Sequence, residues 1–230
     1  MAGRVLYDIV TDGLKIYLDA GRSKSYTDGS DYWYNMVKHD LRGLFEASPT
    51  YNSAEENLLF DGTDDACDLS SKVDYVDINK GTFVIVVKAI SIPANRAFFS
   101  FRVNSENNIA ILVDNSARYQ FKYKGSNTTK QVEEVLSIGS GSPFRVLSMT
   151  YDTEADELKA YVNGVQVGST ITSLGTFTGT PDFLKIARAE TAWTNCGVKS
   201  FQYYDKVLTA EEISQNYNTL KSRFGLWVEQ

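Results

Sequence analysis

The chain has 230 residues, 43% of them hydrophobic and 13% aromatic, which suits one folded domain with a sizeable core and excludes a disordered chain. The net charge of −6 and the lack of any basic run exclude a phosphate-backbone partner, so no nucleic-acid binding is expected. The longest apolar run, FVIVV at 83–87, is too short to cross a bilayer, so no membrane insertion is expected.

The opening MAGRVLYDIVTDG carries Asp8 and Asp12 and lacks the apolar core of a signal or transit peptide. It reads as an arm over residues 1–13 of a protein made in a cytoplasm. GLKIYLDA follows, with Leu14, Ile16 and Leu18 alternating with Lys15, Tyr17 and Asp19, the period of a half-buried strand. Residues 19–57 are weakly patterned and predict long loops, a feature usually tied to function or to a partner. Within them Tyr32, Trp33 and Tyr34 are consecutive and cannot all face one core. The single histidine, His39, lies in the same region, so a histidine metal centre is excluded by count.

LLFDGTDDACDL at 58–69 brings Asp61, Asp64 and Asp65 within five residues. Three carboxylates suit the hard-oxygen preference of calcium. The simpler reading is a β-turn whose aspartates accept hydrogen bonds from backbone N–H groups. Cys67 here and Cys196 later fit no zinc spacing and read as two reduced thiols. TFVIVVKAI (82–90) is a nearly continuous apolar run, predicting a central strand covered on both faces. AFFSFRV, NIAILVD, ARYQFKY and PFRVLSMTYD follow as further strands separated by turn residues. The acidic string TYDTEADELKAY is similar to a glucanase Glu-x-Asp-x-x-Glu pattern, but Lys159 stands where the last carboxylate belongs. It reads as a solvated turn, and no catalytic residue is assigned.

ELKAYVNGVQVGSTI predicts a hairpin about Asn163–Gly164, a pair that accepts the positive φ angles of a tight type I′ turn. RAETAWTNCG places Trp193 and Asn195 between two late strands. Trp33, Tyr34, Trp193 and Asn195 are therefore the candidate glycan-binding residues, since pyranose C–H faces stack on rings and amides hold hydroxyls. The alternative for these aromatics is a core or subunit interface. TAEEISQNYNTLKSRFGL predicts a helix over about 209–224. Thr209 and Glu212 form its capping box, and Glu211 and Glu212 suit its positive end. Ile213, Tyr217, Leu220 and Phe224 make its apolar stripe, and Gly225 its stop.

Ten to twelve short strands with no helices between them predict an all-β, antiparallel two-sheet jelly-roll sandwich with one C-terminal α-helix, in one domain over 14–230.

GLKIYLDAGRSKSY, LLFDGTDDACDL, LKAYVNGVQVGS and FQYYDKVLTAEEISQNYNTLKSRFG, in that order, resemble the laminin-G-like branch of the concanavalin A-like lectin/glucanase superfamily over residues 13–225. The first and last of them look most like stand-alone domains of bacteriophage virion proteins, in capsid decoration, head fibres or tail fibres. The resemblance implies a jelly roll that is often sugar-binding, often oligomeric and sometimes calcium-binding. On that basis the chain is expected to be a non-enzymatic structural protein on the surface of a virion, assembled in the host cytoplasm. Its implied partners are major capsid or tail proteins, further copies of itself, and a cell-surface glycan. The alternatives are a carbohydrate-binding tail-fibre component and a polysaccharide-degrading glycoside hydrolase. No cofactor is expected other than calcium.

Overall fold

Two antiparallel sheets of eight strands each face one another in the computed structural model, which describes residues 9–91, 95–126, 128–138 and 141–226. Strands are numbered β1 to β16 in chain order. The first sheet runs β14 (Val165–Ile171), β13 (Glu157–Val162), β12 (Arg145–Asp152), β7 (Lys80–Ala89), β16 (Asn195–Tyr204), β5 (Asn57–Asp61) and β4 (Thr50–Asn52), and β1 (Leu14–Asp19) also pairs with β16. The second runs β11 (Thr128–Ser137), β10 (Arg118–Gly125), β9 (Asn107–Val113), β8 (Arg96–Asn104), β15 (Phe183–Ile186), β6 (Ala66–Asp68), β3 (Arg42–Glu46) and β2 (Tyr32–Tyr34). One helix, α1 (Ala210–Phe224), ends the described chain. The all-β sandwich with its terminal helix is thus as the sequence predicts.

The sandwich holds because alternate residues of both sheets meet between them. Phe83 lies at the centre, with ring centroids 4.5 Å from Phe99 and 4.8 Å from Tyr203. β7 explains its unbroken apolar run. Phe83, Ile85 and Val87 point into the main core, while Val84 and Val86 join a second apolar cluster with Val146, Tyr161, Ile213 and Leu220 of the helix layer. The hairpin between β13 and β14 turns at Asn163 (φ 51°) and Gly164 (φ 80°), the positive pair that a type I′ turn requires.

α1 begins and ends on its predicted signals. The Thr209 hydroxyl accepts from the Glu212 N–H at 3.3 Å, and the Glu212 carboxylate accepts from the Thr209 N–H at 2.9 Å. Gly225 closes the helix in the left-handed region, φ 61°. Ile213 and Leu220 are buried, and Tyr217 and Phe224 are half-buried. The sequence pattern misses Asn216, buried on the same stripe. Its amide donates to the Tyr204 hydroxyl at 3.0 Å and its carbonyl accepts from the Val10 N–H at 2.9 Å, tying helix, sheet and N-terminal segment together.

Two boundaries differ from expectation. Residues 19–57 are not all loop but contribute β2, β3 and β4, three to five residues each at or near sheet edges, too short to show an alternation. Of the N-terminal arm expected over 1–13, residues 1–8 lie outside the described residues, and Ile9 and Val10 are buried against the helix layer. Thr209→Ala removes one half of the capping box and is expected to cost about 1 kcal/mol. Urea unfolding checks it, with a lower midpoint at unchanged slope.

Candidate functional site

The predicted residues fall in separate places. Trp33 is 0% exposed, its ring 6.4 Å from Phe45 inside the sandwich, so its assignment to glycan stacking is corrected to core packing. β2 puts it there: the middle residue of a three-residue strand faces inward while Tyr32 and Tyr34 face out. Tyr34 is half-buried, with one ring face against His39 at 4.6 Å. Trp193 is half-buried, with the Arg188 guanidinium 4.6 Å from its ring centre. Asn195, the first residue of β16, pairs with Asp61 of β5. The acidic string 153–156 is a turn, in which the Asp152 carboxylate accepts from the Glu154 and Ala155 N–H groups. Cys67 and Cys196 are buried and unbonded to each other, and burial pushes both thiols up.

Asp61, Asp64 and Asp65 do converge, with one carboxylate oxygen from each within 4.8 Å of the others. Part of the turn reading also holds, since Asp61 accepts from the Thr63 N–H and Asp65 from the Asp61 N–H. Burial raises the Asp65 carboxyl above its ordinary value, and the negative charges of Asp61 and Asp64 add to the rise. Among the described residues no ion pair reaches the three. An all-oxygen, all-anionic set fits the chemistry of calcium.

A cleft lies elsewhere, on the outer face of the first sheet beside the C-terminal end of α1. It encloses about 930 Å³ and is lined by Leu59, Lys88, Phe144, Lys199, Arg223 and Phe224, among others. That size suits a small organic ligand or two to three sugar rings.

A fault in the ladder creates it. β16 pairs with β7 on one side, and on the other with β5 as far as Val198 and with β1 from Ser200 onward. The register with β7 shifts between Val198 and Ser200, leaving Lys199 as the extra residue of a bulge. A bulge bends its strand and re-aims a side chain. Here it sends Lys199 into the cleft, where the residue is 5% exposed. Its ammonium lies 4.4 Å from the Phe144 ring centre and 5.4 Å from that of Phe224, and it donates to the Glu55 carbonyl.

The other two cations have counter-charges. Lys88 pairs with Glu55 at 2.5 Å. Arg223 pairs with Glu56 at 2.5 Å and with buried Asp19 at 3.2 Å. Lys199 has no carboxylate within ion-pair distance among the described residues. Burial pushes it below the ordinary lysine range, and the charges of Glu55 and Glu56 oppose that shift.

Asn57 belongs to the same face. It is 0% exposed, and among the described residues neither its amide nitrogen nor its oxygen has a hydrogen-bond partner. It lies over Gly197, where an added Cβ would come 2.6 Å from its nitrogen and 3.1 Å from Cε of Lys88. Sequence reading missed this site. The one available signal was Lys199, the single charged residue in the strand NCGVKSFQYY.

The family described as "Concanavalin A-like lectin/glucanases superfamily", of laminin-G type, matches residues 61–214. No curated protein matches the sequence. Among solved structures, Trypanosoma rangeli sialidase superposes with a TM-score of 0.67 at 15% identity, over 94% of this chain and 34% of the sialidase. The receptor-binding domain of botulinum neurotoxin C/D mosaic serotype gives 0.67 at 12%, over 91% of this chain and 52% of that one. The CBM40 module of a Ruminococcus gnavus IT-sialidase, bound to α2,3-sialyllactose, gives 0.58 at 15%, over 69% of this chain and 94% of the module. The chain thus spans about a third of the sialidase it resembles, and identities this low speak to fold. These neighbours correct the expectation of a virion structural protein: they are sialidases, a carbohydrate-binding module and a receptor-binding domain, and nothing in them points to a phage particle.

Two substitutions test the cleft's construction. Gly197→Ala drives a methyl into Asn57 and the Lys88 stem, and is expected to cost about 1–3 kcal/mol by overpacking. Lys199→Met removes a buried, unneutralised charge at similar volume, and is expected to stabilise the fold by about 1–2 kcal/mol near neutral pH. Because the folded state holds the Lys199 proton less tightly than the unfolded chain does, wild-type stability at this site rises with pH. The gain from Lys199→Met should therefore be complete below the folded-state value and shrink as pH approaches the unfolded value of about 10.4. Thermal unfolding of both proteins across pH 7 to 10.5 reads it out.

Proposed function

We propose that this chain, which belongs to the concanavalin A-like lectin/glucanases superfamily, is a non-enzymatic carbohydrate-binding domain whose ligand occupies the cleft beside the β16 bulge. The observation that carries the reading is the lining of that cleft. Apolar surface from Leu59 and Phe224 stands beside polar groups from Asn52, Lys88 and Lys199 in about 930 Å³. A sugar ring is amphipathic in the same way, with C–H faces and a rim of hydroxyls. The glycan-bound and receptor-binding domains among the structural neighbours support the class of ligand.

Hydrolysis fits the cleft less well. A glycosidase needs one carboxyl free to donate a proton and a second to act as base or nucleophile. The cleft's carboxylates, Glu55 and Glu56, are adjacent in sequence and each is engaged by its own cation. Calcium on Asp61, Asp64 and Asp65 is part of the same proposal, in a structural role. Those residues end β5 and follow it, and Asp61 projects on the same side of the strand as Leu59, two residues earlier.

Isothermal titration of oligosaccharides against wild type and Phe224→Ala tests the reading. Binding by wild type, weakened about 5- to 30-fold in the variant, is expected of an aromatic that anchors a ligand. Binding that ignores Phe224→Ala would place the ligand elsewhere, and release of reducing ends would make the chain an enzyme. For calcium, millimolar Ca²⁺ is expected to raise the wild-type Tm, with reversal by chelator and no rise in Asp64→Asn. In chelator, Asp64→Asn should be the more stable of the two by a few tenths of a kcal/mol to about 1 kcal/mol, because it relieves like-charge repulsion.

A further inference from the structure

The cleft's charges are unevenly matched, and the mismatch names a ligand chemistry. Lys88 and Arg223 are already neutralised by Glu55, Glu56 and Asp19. Lys199 is held between two phenyl rings with one carbonyl as hydrogen-bond partner and no carboxylate among the described residues. An ammonium buried in this way stays costly until an anion reaches it. The same face holds a second unmet demand. Among the described residues the Asn57 amide has both a donor and an acceptor without partners, although polar groups buried to this degree are almost always bonded.

The bulge that aims Lys199 and the glycine that makes room for Asn57 lie two residues apart on one strand. An unneutralised cation and an apolar wall therefore share one concave surface. Building on the proposal that the cleft binds carbohydrate, we infer that its ligand is an acidic sugar, bound with its carboxylate on the Lys199 ammonium. A carboxylate is acceptor-only and delivers the missing counter-charge in a charge-assisted hydrogen bond. The apolar face of the sugar then lies toward Leu59 and Phe224.

The test compares matched pairs that differ in the carboxylate alone or in the residue that bears it. One pair is 3′-sialyllactose and lactose, and the other is trigalacturonate and its methyl ester. Each is titrated into wild type, Lys199→Met and Lys199→Arg, with sodium acetate and inorganic phosphate as competitors. Wild type should prefer the acidic member of at least one pair by about tenfold or more. Lys199→Met should bind the acidic and neutral members alike, and Lys199→Arg should retain part of the preference. Unchanged melting temperature or better shows that the variants are folded.

Equal binding of acidic and neutral members, weakened alike by Phe224→Ala, would overturn the acidic-ligand inference and leave the carbohydrate reading standing. A preference that persists in Lys199→Met would assign the carboxylate to another cation and equally overturn it. Acetate or phosphate binding as tightly as the acidic sugar would make the cleft a simple anion site. Absence of binding to any saccharide would remove the carbohydrate reading and this inference together.

Discussion

The β16 strand carries the constraint on which the rest of the molecule depends. It must pair with β7 along its whole length while its other neighbour changes from β5 to β1 at mid-strand. Two neighbours that arrive from different parts of the chain cannot both meet one strand in perfect register, and the bulge at Lys199 absorbs the difference. The cleft lies beside that adjustment. Lys199 turns outward, Gly197 leaves space for Asn57, and Ala20, just after β1, donates its N–H to the Lys199 carbonyl to seal the junction.

Burial on both faces sets the energetic frame around this junction. One face of the first sheet meets the second sheet, with aromatic rings from β7, β8 and β16 in contact at the centre. Its other face is covered by α1 and the segment at Ile9 and Val10. Among the described residues that cover stops at the last turn of α1, and the cleft opens there. Arg223, in that last turn, reaches back to Asp19 of β1 and Glu56 beside β5, so the cleft's wall is pinned to both strands that flank the bulge. A helix that serves chiefly to cover a sheet thereby also fixes the shape of a binding surface.

The fold was legible because its signals are local. The unbroken run in β7, Asn163–Gly164 at the hairpin and the Thr209–Glu212 box each depend on a few neighbouring residues, and each appears in the structure. GLKIYLDA forms its strand, but not as the half-buried one its alternation predicts: Tyr17 and Asp19 are buried as well, because the helix layer covers the outer face. The three short strands between residues 19 and 57 were not legible, since strands of three to five residues have too few positions to show a period. The site was read less well for the same physical reason. Trp33 looked available because three aromatics stand in a row, yet the pleat of β2 turns the middle one inward and the sandwich closes over it. The aspartate group was found, since its members are four residues apart at most and meet through local chain geometry.

The sequence by itself therefore determined the class of fold, the positions of the long strands and the hairpin, both ends of the helix and the acidic cluster, because these rest on periodicity and on contacts between near neighbours; the superfamily came from the resemblance of its motifs. Tertiary structure alone decided which aromatics remain exposed, which cations keep a counter-charge and where the cleft opens. Lys199 shows the reason. Its character comes from Phe144, Phe224 and Glu55, brought together from distant parts of the chain by a register shift that no local pattern encodes.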